Sequence, residues 1–190
     1  MSRAPGLPVL VLAGLLALAA CDRPAAPGGG GGERAPAAAT AFRYDATSDL
    51  SGYYMPVGEV TIGKWRLKDV FLGQQSEFDG WSAGSRTGTY APVMVEFEDK
   101  TSALVQTEMG ETPSGKARVL PSRYVIDDRT VRFEGQSPEL GRVTFEGRLD
   151  AGALATARRN LGDEGVVLTG TLSAGGQTVR DVKLRWWMGD

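Results

Sequence analysis

Val143-Thr144-Phe145-Glu146-Gly147-Arg148-Leu149 alternates apolar with polar or charged residues over its whole length. Successive side chains of a β-strand point to opposite faces, so this spacing buries Val143, Phe145 and Leu149 and leaves Thr144, Glu146 and Arg148 in water. The same period recurs in Val93-Met94-Val95-Glu96-Phe97-Glu98, in Val131-Arg132-Phe133-Glu134 and in Val182-Lys183-Leu184-Arg185-Trp186. Weaker runs stand at residues 53–62, 65–72, 103–108, 123–127 and 166–172. The pattern predicts an all-β fold of about eight or nine strands.

Short polar connections, Asp127-Asp128-Arg129-Thr130 and Ser173-Ala174-Gly175-Gly176-Gln177-Thr178, stand between apolar runs and read as hairpins. Sequential hairpins make an antiparallel meander, and a sheet this large with one apolar face has to close as a barrel or fold over as a sandwich. The outward positions carry Glu, Arg and Lys where lipid would demand apolar residues, which sets aside a membrane-spanning barrel. One short helix is expected near residues 150–161. Asp150 can cap its free N–H groups, the helix runs through Ala153, Leu154, Ala157 and Leu161, Arg158 and Arg159 suit the negative end of its dipole, and Gly162 stops it. It is read as a connection between two strands, with a flap over the open end of the sheet as the alternative.

These elements fall in residues 42–190, 149 residues and a common size for one domain. Residues 22–41 are mostly Pro, Ala and Gly, with five consecutive glycines from Gly28 to Gly32. Such a segment cannot offset its conformational entropy and reads as a flexible tether. As a Gly-rich coil it reaches roughly 25 Å. Before it come Arg3, a mostly apolar run from Leu7 to Leu18 and the small residues Ala19-Ala20, the order of parts in an export signal. That run is shorter than the ~20 apolar residues a bilayer span needs.

Leu18-Ala19-Ala20-Cys21 resembles the lipobox of bacterial lipoproteins. The resemblance implies that residues 1–20 are a removed signal peptide, that Cys21 becomes the mature N-terminus, and that its sulfur carries a diacylglycerol, with a further acyl chain such as palmitate usual on its amine. Each buried CH₂ contributes about 0.8 kcal/mol, and two or more chains give stable anchoring. The expected address is the bacterial cell membrane, with the domain facing the periplasm. Asp22 keeps lipoproteins of some gram-negative bacteria in the inner membrane, and the choice between inner and outer membrane stays open.

Cys21 is the only cysteine, so acylation leaves no thiol for catalysis, redox chemistry or a disulfide. The chain has no histidine, which removes the commonest general base, the usual triads and most zinc sites. The 21 basic and 23 acidic residues become 18 and 21 once Arg3, Arg23, Arg34, Asp22 and Glu33 are set aside, a net charge of −3 for the domain. No basic stripe is visible along the chain, so neither nucleic-acid binding nor capture by an anionic lipid surface is expected. No calcium or phosphate loop motif occurs. A non-enzymatic domain with no cofactor and no metal is the expectation.

Three carboxylate groups bear on hydrolytic chemistry. Glu96 and Glu98 share the charged face of a strand and are expected to be solvated. Asp127 and Asp128 are expected to build their own turn. Glu77 and Asp79 are the first candidates for an acid and base pair acting on envelope glycans, which requires a cleft and one buried carboxyl.

They lie in Gly73–Tyr90, a long polar, Gly-rich stretch read as a loop, and aromatic residues in an exposed loop are costly unless they pack or bind something. Phe78, Asp79, Trp81, Arg86 and Tyr90 are the candidate binding residues: Trp81 stacks on a sugar ring or apolar ligand while Arg86 or Asp79 fixes a polar end. The competing reading folds Trp81 back onto the core. Near the C-terminus, alternation places Trp186 inside and Trp187 outside, where a cation–π contact with a neighbouring Arg is expected.

Leu168-Thr169-Gly170-Thr171-Leu172-Ser173-Ala174-Gly175-Gly176-Gln177-Thr178-Val179, leading into Asp181-Val182-Lys183-Leu184, resembles the hairpin of YceI-like periplasmic proteins. Those are lipocalin-type barrels holding a long isoprenoid lipid, and the resemblance implies a carrier of an apolar small molecule. Three functions therefore compete: a tethered binding or scaffolding domain for an envelope partner, an apolar-ligand carrier, and a carboxylate-dependent glycan hydrolase. The first predicts a close-packed interior.

Overall fold

The computed structural model describes residues 41–108 and 110–189, so the lipobox, Cys21 and most of the Gly-rich segment lie outside the described residues. The long alternating runs pair as antiparallel neighbours, and the two expected hairpin turns, at residues 127–130 and 173–178, each join paired strands. β10 (Thr130–Ser137) pairs antiparallel with β11 (Gly141–Leu149), β11 with β12 (Val166–Ala174), and β12 with β13 (Gln177–Trp187). In the two-residue turn between β12 and β13, Gly175 and Gly176 take φ of 56° and 74°. Both are left-handed, the turn geometry whose twist matches that of the flanking strands.

The sheet then returns to the start of the chain. β13 pairs with β2 (Gly52–Pro56), β2 with β4 (Trp65–Leu72), β4 with β5 (Val93–Asp99), and β5 with β8 (Lys116–Val119), while β3 (Thr61–Ile62) adds to β4. β8 and β9 (Pro121–Ile126) are separated by Leu120 alone and act as one bent strand. Its first half pairs with β5 and its second half with β10, which brings the sheet round into a barrel-like curl. Gly135 sits against the bend. A Cβ there would lie 2.4 Å from the Leu120 carbonyl oxygen, so a side chain would push the closing strands apart.

Among the described residues there are thirteen strands and two helices rather than eight or nine and one. The extra strands are short. β1 (Phe42–Tyr44), β7 (Gly110–Pro113) and the four-residue β8 lie outside the expected runs, the expected run at 53–62 divides into β2 and β3, and β7 pairs with β6 (Leu104–Thr107), from the expected run at 103–108, as a separate two-stranded sheet. β1 runs parallel to β9, so the sheet is mixed and not the purely antiparallel meander expected. The fold class is all-β, as the alternation implies.

The inside of the curl is filled. Tyr54, Tyr124, Phe78, Phe97 and Phe145, with Leu50, Leu72, Leu168, Leu172 and Leu184, are each less than 2% exposed. α2 (Ala151–Arg159) occupies the expected stretch, and the Asp150 carboxylate accepts from Ala153 N at 2.9 Å as its cap. Leu154 and Ala157 are buried, but the helix stops at Arg159, so Leu161 does not complete the stripe and is 63% exposed. α2 joins β11 to β12. Arg158 ties it across the sheet by pairing with Asp49, donating to the Asp49 and Ser51 carbonyls and covering the Trp186 ring at 5.2 Å. No helix among the described residues is long and apolar enough to cross a membrane.

Candidate functional site

The stretch expected to be a loop contains a helix, α1 (Gln75–Ser82). Its start is held by Glu77, whose Oε2 accepts from Gln74 N at 2.7 Å in a capping-box arrangement. Phe78 and Trp81, three positions apart, form its buried side. That spacing is legible in the sequence, but Gln74 is not among the Ser, Thr, Asp or Asn residues that mark a helix start, and the surrounding glycines favour a loop.

Phe78 stacks on Tyr44 of β1 with centroids 4.0 Å apart and meets Tyr124 edge-on at 5.4 Å. Trp81 meets Phe42 edge-on at 6.2 Å. These five rings form a plug between α1, β1 and β9. Trp81 Nε1 is buried with no acceptor among the described residues, and Arg86 covers the rings of Phe42 and Trp81 at 4.4 and 5.4 Å while donating to the Trp81 carbonyl at 3.2 Å. Asp79 is exposed. Of the five candidate residues, then, Phe78 and Trp81 face the core, Arg86 seals the plug, Asp79 faces solvent, and only Tyr90 reaches a different aromatic group.

Tyr90 ends a row on the outer face of the sheet. Its ring lies 5.8 Å from Phe71 on β4, Phe71 lies 5.1 Å from Tyr53 on β2, and Tyr53 lies 5.6 Å from Trp187 on β13. The register makes the row, because Tyr53 pairs with Phe71 and Trp187 with Tyr53 across neighbouring strands. The rings of Tyr53, Phe71 and Trp187 are half-buried and Tyr90 is 37% exposed. The Tyr90 hydroxyl donates to Glu77 Oε1, and burial, helped by that carboxylate, raises its pKa above the ordinary phenol value. Trp187 packs on Tyr53 and not on a neighbouring Arg. The cation over a tryptophan at this end is Arg158 over Trp186.

Beside the row runs a charged ladder. Lys64 pairs with Asp99 at 2.7 Å, Arg66 with Glu98 at 2.5 Å, Lys68 with Glu96 at 3.1 Å, and Arg118 with the same Glu96. Glu96 and Glu98 are thus not simply solvated: Glu98 is 6% exposed, and Thr112 of β7 also donates to it at 3.1 Å. Asp127 accepts from Arg129 N within its own turn, as expected, but Asp128 reaches away. It accepts from Thr47 N, Thr47 Oγ1 and Ser48 N, which hold its carboxyl down at about 2 and fasten the segment after β1.

The ladder is irregular at one place. The pairing of β4 with β5 shifts between Leu67 and Asp69, which turns both Lys68 and Asp69 to the outer side. Asp69 is 2% exposed, its Oδ1 has no partner among the described residues, and Lys68 Nζ stands 3.5 Å from Oδ2. Burial pushes its carboxyl up to about 6. A groove of about 340 Å³ lies over this spot, lined by Tyr53, Met55, Lys68, Asp69, Trp187 and Gly189. A second, of about 350 Å³, lies between Lys68, Glu96, Arg118 and the Gly88-Thr89 turn. Sequence reading missed this surface because its members come from β2, β4, β5, β8, β13 and the Tyr90 loop.

Glu77 and Asp79 do not face each other across a cleft. Glu77 spends one oxygen on the helix cap and the other on Tyr90. No group of three or more His, Cys, Asp or Glu suited to a metal ion occurs among the described residues. No family model matches the chain, and no curated protein or solved structure matches it at a significant level.

Proposed function

We propose that this chain is a lipoprotein of the bacterial envelope, held on a membrane through acylated Cys21, whose β-rich domain binds or scaffolds a partner without catalysing a reaction. The observation that carries the reading is the division of aromatic side chains. The interior is filled by its own rings and aliphatic residues, so an apolar ligand has no room where a lipocalin-type carrier holds one, while the half-buried row Trp187–Tyr53–Phe71–Tyr90 is presented outward beside Lys68 and Asp69. Half-exposed aromatics grouped next to charged side chains are the composition of a recognition surface. The engagement of Glu77 in the cap and with Tyr90 favours binding over hydrolysis.

Two measurements test it. Growth with radiolabelled palmitate should label the wild-type chain and leave Cys21→Ser unlabelled, with the label in the membrane fraction. A labelled cytosolic fraction, or none, overturns the anchor. Native mass spectrometry of the delipidated chain should give the bare polypeptide mass, and a co-purified apolar molecule would turn the reading to the carrier.

A further inference from the structure

Basic and acidic residues alternate in sign along the chain, yet the topology sorts them. Arg123 on β9, Arg132 on β10, Arg142 and Arg148 on β11, and Arg129 in the β9–β10 turn all lie exposed on one outer face. Two adjoining grooves of about 450 and 370 Å³ share Arg132 and Glu146, and between them they are lined by all five arginines against two carboxylates, Glu134 and Glu146. Arg142 takes Glu134 at 2.9 Å. Asp127 and Asp128 stand at the Arg129 end, committed to the turn and to Thr47 and Ser48. The register sets Arg123 opposite Glu134 and Arg132 opposite Glu146, yet among the described residues Arg123, Arg132 and Arg148 close no ion pair, so five guanidinium groups face two carboxylates in these grooves although the domain as a whole is acidic.

The chain also enters the domain here. Tyr124 N donates to the Ala41 carbonyl at 2.9 Å and β1 runs beside β9, so the end of the Gly-rich segment meets the sheet one residue from Arg123. We propose that the outer face of β9, β10 and β11 docks on an anionic phospholipid surface. The proposal rests on the anchored-lipoprotein reading for its geometry, since the tether from an acylated Cys21 joins the domain at this edge. Guanidinium forks match phosphate oxygens, and an acyl chain with a basic patch is the two-signal arrangement that makes membrane attachment stable. The arginines are spread over three strands spaced about 4.8 Å apart and do not converge on one point, which fits several headgroups better than a single phosphate.

The full chain carrying Cys21→Ser, which cannot be acylated, is mixed with vesicles of equal phosphatidylglycerol and phosphatidylcholine and with vesicles of phosphatidylcholine alone, and partition is read by co-sedimentation. Binding is expected only to the anionic vesicles and should weaken as salt shortens the Debye length. Arg123→Gln/Arg132→Gln/Arg148→Gln should lower partition on the order of a hundredfold, about fivefold per arginine. Lys100→Gln/Lys116→Gln/Arg159→Gln, which removes equal charge elsewhere, should retain it. Arg132→Gln alone, expected to cost about fivefold, serves if the triple variant does not fold. Equal loss in both triples, binding to phosphatidylcholine alone, or release by millimolar inorganic phosphate overturns the proposal. Palmitate labelling of the wild-type chain separates the two readings: a labelled chain whose Cys21→Ser form ignores anionic vesicles loses only the docking face, and an unlabelled chain that still binds them loses only the anchor.

Discussion

The plug of Phe42, Tyr44, Phe78, Trp81 and Tyr124 and the row of Trp187, Tyr53, Phe71 and Tyr90 are built from the same kind of side chain, and Gly73–Tyr90 contributes to both. In the plug, rings from α1 fill the space between β1 and β9, and Phe78 and Tyr124 are each 1% exposed. In the row, rings from neighbouring strands lean on one another at 46° to 60° and keep part of their surface in water. The plug is therefore a stability element and the row is a surface whose area is still available. What separates them is geometry: α1 turns Phe78 and Trp81 inward at a spacing of three, whereas Tyr90 comes after the helix and is held outward by Glu77.

Four experiments break or sharpen that contrast. Trp81→Ala should do most, costing roughly 3–5 kcal/mol of unfolding free energy by opening a cavity under α1, measured by urea denaturation. A loss below about 1 kcal/mol would place Trp81 in a surface role instead.

Asp69→Asn, beside the row, should act in the opposite direction. The folded-state carboxyl holds its proton up to about 6 while an unfolded Asp releases it near 3.8, so ionised Asp69 subtracts stability as pH rises through that window. The variant should be more stable than wild type at pH 7, by about 1–3 kcal/mol, and the gain should vanish below about pH 4. A gain that persists unchanged in acid would show that the carboxyl is not the cause. Asp128, held down at about 2, has the reverse sign: its contribution is present above pH 3.8 and is lost as pH falls through 2.

Tyr90→Phe removes one hydroxyl from Glu77 and should cost no more than about 1 kcal/mol, with the helix content by circular dichroism unchanged. The smallest effect is spectroscopic. Trp65, Trp81 and Trp186 are 8%, 6% and 7% exposed, so most acrylamide-quenchable emission should come from half-buried Trp187. Trp187→Phe should abolish most of the quenching with stability almost unchanged, and quenching that survives would mean that the plug opens.

β10, β11 and β13 were legible because each is eight residues or longer and alternates buried with less buried positions along much of its length. α2 was legible through its cap at Asp150. β1, β8 and α1 were not. The three-residue β1 has no measurable period, β8 alternates over only four residues, and α1 lies among glycines that favour a loop reading. Of the candidate site, Tyr90 was visible as an exposed aromatic, but its neighbours Phe71, Tyr53 and Trp187 read as ordinary strand residues until the register set them side by side.

Taken alone, the sequence determines an all-β class, the inward or outward sense of most side chains, and the absence of histidine and of any thiol beyond Cys21, because these follow from local period and composition. Only the tertiary structure decides that one bent strand closes the curl, that Phe78 and Trp81 plug it, and that arginines from β9, β10 and β11 collect on one face. Those outcomes depend on which strands become neighbours, and hydrogen-bond register between segments far apart in the chain leaves no mark in any one of them.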